Sequence, residues 1–155
     1  MHGKCLRRRR RRSRTGVGAH PAGKRGHMDI QAIHDHAVQV LAGKVPGTDR
    51  SAARALFAEN AARGHVGSMV FLGIVLLDGV HGPQDIPAGV VWVRKAADAG
   101  HSEGEFLLGM CLAEGTGMER DLEQAIVWLR RAADKGHEEA SFIFAELARR
   151  GHSDI

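Results

Sequence analysis

The stretch WVRKAADAGH at residues 92–101 returns 36 positions later as WLRRAADKGH at residues 128–137. That recurrence constrains the fold more than any other feature of the chain. A fixed period of this size marks units that stack on their neighbours instead of closing around one central core. The phase extends well beyond the two stretches. Gly64, Gly100 and Gly136 keep it, as do His65, His101 and His137, and Asp49, Asp85 and Asp121. So do Leu72, Leu108 and Phe144, then Gly73, Gly109 and Ala145, then Gly79, Gly115 and Gly151.

Each unit reads as two helices. The first, roughly 67–78 and again 102–114, is apolar on most sides, as expected of a helix held between neighbours. Gly79 and Gly115 stand where a left-handed residue ends a helix at little steric cost. Six residues on, the carboxylate of Asp85 or Asp121 can accept from the open amides of the next helix. Asp121 with Gln124 makes a capping-box-like pair, and Pro87 falls in an opening turn, where a missing amide hydrogen does little harm. The second helix carries Ile86, Val90, Val91, Ala96 and Ala97, matched by Leu122, Ile126, Val127, Ala132 and Ala133, a spacing that predicts a broad buried face. Small residues at Gly73, Gly109 and Ala145 mark close backbone approach, and Trp92 and Trp128 read as packing residues between hairpins.

Outside the two full copies, helices over 29–43 and 49–62 make a degenerate first hairpin, with Leu56 where the tryptophans stand later. A last helix over 139–150 is of the first type and lacks its partner. The expected fold class is all-α, a short right-handed superhelical solenoid of helix-turn-helix repeats with period 36 and about seven helices. Its units are a hairpin at 29–64, repeats at 65–100 and 101–136, and a half repeat at 137–151.

The net charge of +4 hides two opposed parts. Residues 1–27 hold ten Lys or Arg and no acid, whereas residues 28–155 hold twelve basic and eighteen acidic side chains. The first segment offers almost nothing to bury, so it reads as a disordered tail, and Met28, where the helical pattern begins, reads as an alternative start. The run Arg7, Arg8, Arg9, Arg10, Arg11 and Arg12 would contact phosphate backbones without sequence preference; no aromatic side chains are interleaved to stack bases. Cys5 and Cys111 do not make a disulfide framework. No apolar run is long enough to cross a bilayer, and no export signal is complete. A cytoplasmic, bacterial protein is expected.

The repeated residues resemble the Sel1-like repeat, a relative of the tetratricopeptide repeat. Its pattern is nearly complete in Leu108, Gly109, Leu112, Gly115, Gly117, Asp121, Ala125, Trp128, Ala132, Ala133 and Gly136. The copy from Ser68 to Gly100 is a good second match, and 49–64 and 139–151 match as half units. Two departures stand out. Val80-His81-Gly82 replaces the Gly-x-Gly spacing after Gly79. The position before the leucine, often polar in this family and turned to the inner surface, is Phe71, Leu107 and Ile143. The resemblance implies an adaptor or regulator that holds another protein in a concave groove, here lined by Phe71, Ile74, Leu107, Met110 and Ile143. The cysteine-rich members of the group, some with penicillin-binding or lactamase behaviour, rely on a cysteine pair in each hairpin, and Cys111 stands alone.

Ten histidines invite a metal site. Equivalent side chains in stacked helices lie at least about 8–10 Å apart, whereas one zinc needs its nitrogens within about 2.1 Å, so His65, His101 and His137 do not share an ion. Each is expected at the turn before the following helix. His34-Asp35-His36 point to different faces of one helix. Asp78, Glu105, Glu114 and Glu119 read as helix-end and surface charge, since no nucleophile, base and orienting group stand in order. No catalytic, cofactor or metal residue is therefore assigned. The predicted activity is partner binding, with nucleic-acid association through the tail as the alternative. Because uncapped solenoid ends associate, a homodimer through the C-terminal helix is also expected.

Overall fold

The computed structural model describes residues 29–151. The reading of residues 1–27, including Arg7–Arg12, therefore lies outside the described residues. Among those described there are seven helices and no strands: α1 (Ile30–Leu41), α2 (Ser51–Ala62), α3 (Val66–Asp78), α4 (Ile86–Asp98), α5 (Ser102–Glu114), α6 (Leu122–Asp134) and α7 (Glu138–Gly151). Substantial contacts join only helices adjacent in sequence, the one-dimensional packing that the period demands. The core is accordingly three clusters in series. One gathers Ala37, Val40, Phe57, Leu72 and Leu76, the next Val93, Ala97, Leu108, Leu112 and Ala125, the last Leu129, Ala132 and Ala140.

The Gly-His dipeptide explains how so short a link turns the chain three times. In Gly64, Gly100 and Gly136, φ is 93°, 82° and 87°, a backbone that only glycine adopts cheaply. The amide of the following histidine then reaches back to Asn60 O, Ala96 O or Ala132 O, each at 3.1 Å. This satisfies an orphan carbonyl of the ending helix in the Schellman manner. The same histidine is the N-cap of the next helix. His65 Nδ1 accepts from Ser68 N at 3.0 Å and His137 Nδ1 from Ala140 N at 3.2 Å. The three histidines do sit at the turns, and two of them replace the usual Ser or Asp cap with an imidazole nitrogen.

The turn inside each repeat also follows the period. Gly79 and Gly115 close α3 and α5 in the left-handed conformation, and Asp85 N and Asp121 N donate to Leu76 O and Leu112 O, both at 2.9 Å. The carboxylates of Asp85 and Asp121 cap α4 and α6 by accepting from Ala88 N and Gln124 N. The departure at residues 80–82 is visible as well. In the second copy Gly117 abuts Ile86 and Val90, with φ 68°, whereas in the first Gly82 lies against Arg54, whose guanidinium donates to Pro83 O at 2.6 Å.

Close approach occurs at Gly73 and Gly109, two of the three positions where small residues predicted it, whereas Ala145 is exposed. A Cβ built on Gly73 would lie 2.6 Å from Val93 Cγ2, and one on Gly109 would lie 2.8 Å from Leu129 Cγ. Part of the expected buried face is also exposed. Val91, Val127 and Leu122, assigned to the buried face of α4 and α6, are 52%, 51% and 39% exposed. The face buried by α4 and α6 is narrower than their apolar spacing suggested, because at about 100° per residue Val91 and Val127 stand roughly opposite the buried Val93 and Leu129. No helix among the described residues is long and apolar enough to cross a membrane.

Candidate functional site

The first-type helices α3, α5 and α7 carry the predicted stripe, and its five members fall into two groups. Phe71, Leu107 and Ile143 are half-buried and pack on the three core clusters in turn. Phe71 is the most committed: its ring stacks on buried Phe57 with centroids 5.1 Å apart and planes 9° from parallel, and meets the His34 ring edge-on at 5.4 Å. Ile74 and Met110 have the same intermediate burial but belong to none of those clusters. The stripe therefore alternates residues packed on the core clusters with residues outside them. A shallow apolar depression of about 410 Å³ adjoins it at the start of α7, lined by Glu138, Glu139, Phe142 and Ile143.

Two polar arrangements have no signature in the sequence pattern. The first joins α1, α2 and α3. Asn60, fully buried, donates to Ile30 O at 2.7 Å and to Ser68 Oγ at 3.0 Å. Ser68 Oγ in turn lies 2.9 Å from His34 Nδ1 and 3.0 Å from His65 Nδ1, and His65 Nε2 lies 3.2 Å from Gln31 Oε1. His34 is held below the ordinary histidine range, chiefly by burial and then by the neighbouring charge of His65. His34 and His36 do part as expected: one joins this cluster, and the other is exposed. The cluster fastens the first hairpin to the next repeat, since buried polar groups must find partners.

The second joins α5, α6 and the turn after α4. Glu105, read from sequence as surface charge, is fully buried. Its Oε1 receives Lys135 Nζ at 2.7 Å and Arg131 Nη2 at 3.1 Å, and Lys135 also donates to Gly100 O at 2.7 Å. Position 105 is one turn into α5 and faces the end of α6, where Arg131 and Lys135 supply two cations. Asp78, Glu114 and Glu119 are exposed, as expected. One repeat earlier, Lys95 lies 4.3 Å over the Trp92 ring, as Arg131 lies 4.5 Å over Trp128. Both tryptophans are half-buried and pack on a core cluster.

The histidines of the repeat remain apart in role. His65 and His137 reach with Nε2 to Gln31 and Glu103, residues at equivalent positions of the preceding unit. For His101 the equivalent residue is Gly67, which has no side chain to offer. Among the described residues no group of three or more His, Cys, Asp or Glu could hold a metal ion. Cys111 is buried, and burial, with Glu114 nearby, pushes its thiol up.

Comparison with known proteins agrees with this geometry. The family described as Sel1 repeat matches residues 66–101 and 102–137, one residue later in phase than the units drawn from the period. Among solved structures, the Sel1 repeat protein from Oxalobacter formigenes is similar with a TM-score of 0.72 and 24% identity, over 79% of this chain and 49% of that one. A protective antigen of uropathogenic Escherichia coli strains with an SLR fold is similar with a TM-score of 0.75 and 24% identity, over 79% of this chain and 26% of that one. Helicobacter pylori cysteine rich protein B is similar with a TM-score of 0.55 and 18% identity, over 74% of this chain and 97% of that one. At these identities the likeness is one of fold, and the chain spans about half and about a quarter of the first two. A search of curated proteins found no match.

Proposed function

We propose, on the premise that this is a Sel1-repeat protein, that the chain is an adaptor whose first-type helices hold an apolar segment of a partner protein. Sel1 repeats generally serve protein–protein interaction. The observation that carries the reading for this chain is the recurrence of partly buried apolar side chains at the same two positions of successive first-type helices: Phe71, Leu107 and Ile143, with Ile74 and Met110 between them. Polar side chains would serve folding equally well at positions left half open, so their apolar character favours an occupant. A partner helix or extended segment would place its own apolar residues over Ile74 and Met110, against a floor made rigid by the Phe57–Phe71 stack. The acidic balance of residues 28–155 favours basic flanks on that partner.

The test follows from these two groups. Phe71→Glu would damage the core through Phe57, so the informative variant is Ile74→Glu with Met110→Glu. It should retain the helicity of the parent and lose capture of a partner that the parent holds. Undiminished capture by a folded double variant would overturn the reading. Removing residues 1–27 separates this function from the alternative: phosphate-dependent retention on nucleic acid that disappears with the tail, while Ile74→Glu/Met110→Glu has no effect, would favour nucleic-acid association.

A further inference from the structure

The C-terminal end of the solenoid differs from its N-terminal end. The outer face of α1 exposes Gln31, Asp35, His36 and Gln39, a polar cap. At the other end, α7 exposes Phe142 at 69%. A largely apolar groove of about 350 Å³ runs beside α7, lined by Ile126, Val127, Phe144, Leu147 and Ala148 together with Arg130 and Gly151. The repeat shows what belongs there. In α3 and α5, a second-type helix crosses at Gly73 and Gly109, where an added Cβ would press on Val93 or Leu129. In α7 the equivalent residue is Ala145, and it is exposed. Leu72 and Leu108 are buried, whereas their equivalent Phe144 is only half-buried.

We infer that a second copy of this chain fills that place, with the two α7 helices crossing antiparallel about a twofold axis at Ala145. Three features select this occupant. Second-type helices run antiparallel to the first-type helices they cover, the start of α4 lying at the end of α3 through Asp85 N to Leu76 O; a twofold axis gives two α7 helices the same relation. Charge is also complementary. Glu138 and Glu139 occupy the first turn of α7, and Arg149 and Arg150 the last, so an antiparallel crossing sets acid against base at both ends. In that register Phe142 of each copy covers Ala148 of the other at the mouth of the apolar groove, and Glu138 lies beside Arg149, which also pairs with Glu146 of its own helix at 2.7 Å. Finally, the polar face of α1 offers no complement to the apolar end, which removes a head-to-tail chain of copies and leaves the closed, isologous pair.

Sedimentation equilibrium and light scattering of the full chain over a range of concentrations test this. The parent should show twice the 16.7 kDa chain mass. Phe142→Glu and Ala145→Glu, both at exposed positions, should return it to one chain mass with unchanged helicity. In a Cys5→Ser background, Ala145→Cys should cross-link on mild oxidation far faster than Val91→Cys, an exposed site on α4. A parent that stays monomeric at high concentration, a dimer untouched by both glutamates, an open series of larger species, or equal cross-linking at the two cysteines would each overturn the inference. These measurements are independent of Ile74 and Met110, so either conclusion can fall alone.

Discussion

Glu105 offers a measurement in which the two sides of one ion pair behave differently. Its carboxylate is 0% exposed, while the side chains of Arg131 and Lys135 keep 47% and 40% of theirs in solvent. Replacing both cations with methionine strands a buried charge, and stranding of this kind costs about 3–5 kcal/mol. Because the cations are already part-solvated, their attraction is screened, and we expect the lower end, about 3 kcal/mol. Replacing Glu105 with methionine strands nothing, since both cations can turn outward. The position tolerates that residue, because its equivalent one repeat earlier is Met69. Glu105→Met should therefore change stability by no more than about 1 kcal/mol, or increase it. With a urea dependence of about 2 kcal/mol per molar, the double cation variant should shift its midpoint down by about 1.5 M, and Glu105→Met by less than about 0.5 M. Tryptophan fluorescence suits the assay, as Arg131 lies over Trp128. Equal losses in the two variants would mean that the charge pair itself holds α5 to α6, and the reasoning from desolvation would be refuted.

Two further outcomes follow from the packing and the polar cluster. Gly109→Ala gains helix propensity worth about 1 kcal/mol, but its Cβ would stand 2.8 Å from the Cγ of fully buried Leu129. Overpacking costs about 1–3 kcal/mol, so a net loss of up to about 2 kcal/mol is expected in denaturant unfolding, partly recovered by adding Leu129→Val; a stabilised Gly109→Ala would show that α5 and α6 do not cross so closely. His34 is held below its ordinary value by burial first and by His65 second, with Asp35 opposing and His101 adding a little. The unfolded chain then binds the proton more readily, so the contribution of neutral His34 to stability is complete above about pH 6.5 and declines as pH falls below it. His34→Gln should flatten the stability profile as pH falls below about 6.5, and an unchanged slope there would count against the cluster.

Local chemistry makes much of this protein legible in its amino-acid sequence. Helix ends depend on a glycine able to take positive φ and on a side chain within three residues of a free amide, and both are properties of short stretches. The Gly-His turns, the capping aspartates, the close approach at Gly73 and Gly109 and the number of helices follow from that. The stripe of Phe71, Ile74, Leu107, Met110 and Ile143 is also visible, as a periodic departure from polar character. Its division into residues packed on the core clusters and residues outside them is not, because Phe71 is committed by Phe57, a residue of the preceding hairpin.

The 36-residue period by itself determined that these helices stack in series, since each unit exposes faces that only another unit can cover. Tertiary structure decided what each copy of a given position does. Residues 69, 105 and 141 are equivalent in the repeat, yet Glu105 is a buried anion because Lys135 and Arg131 stand opposite it. Val91 and Val127 lie outside because no other described helix covers the faces of α4 and α6 opposite Val93 and Leu129. Burial and charge pairing are properties of two surfaces, and the second surface lies in another helix, often most of a repeat away along the chain.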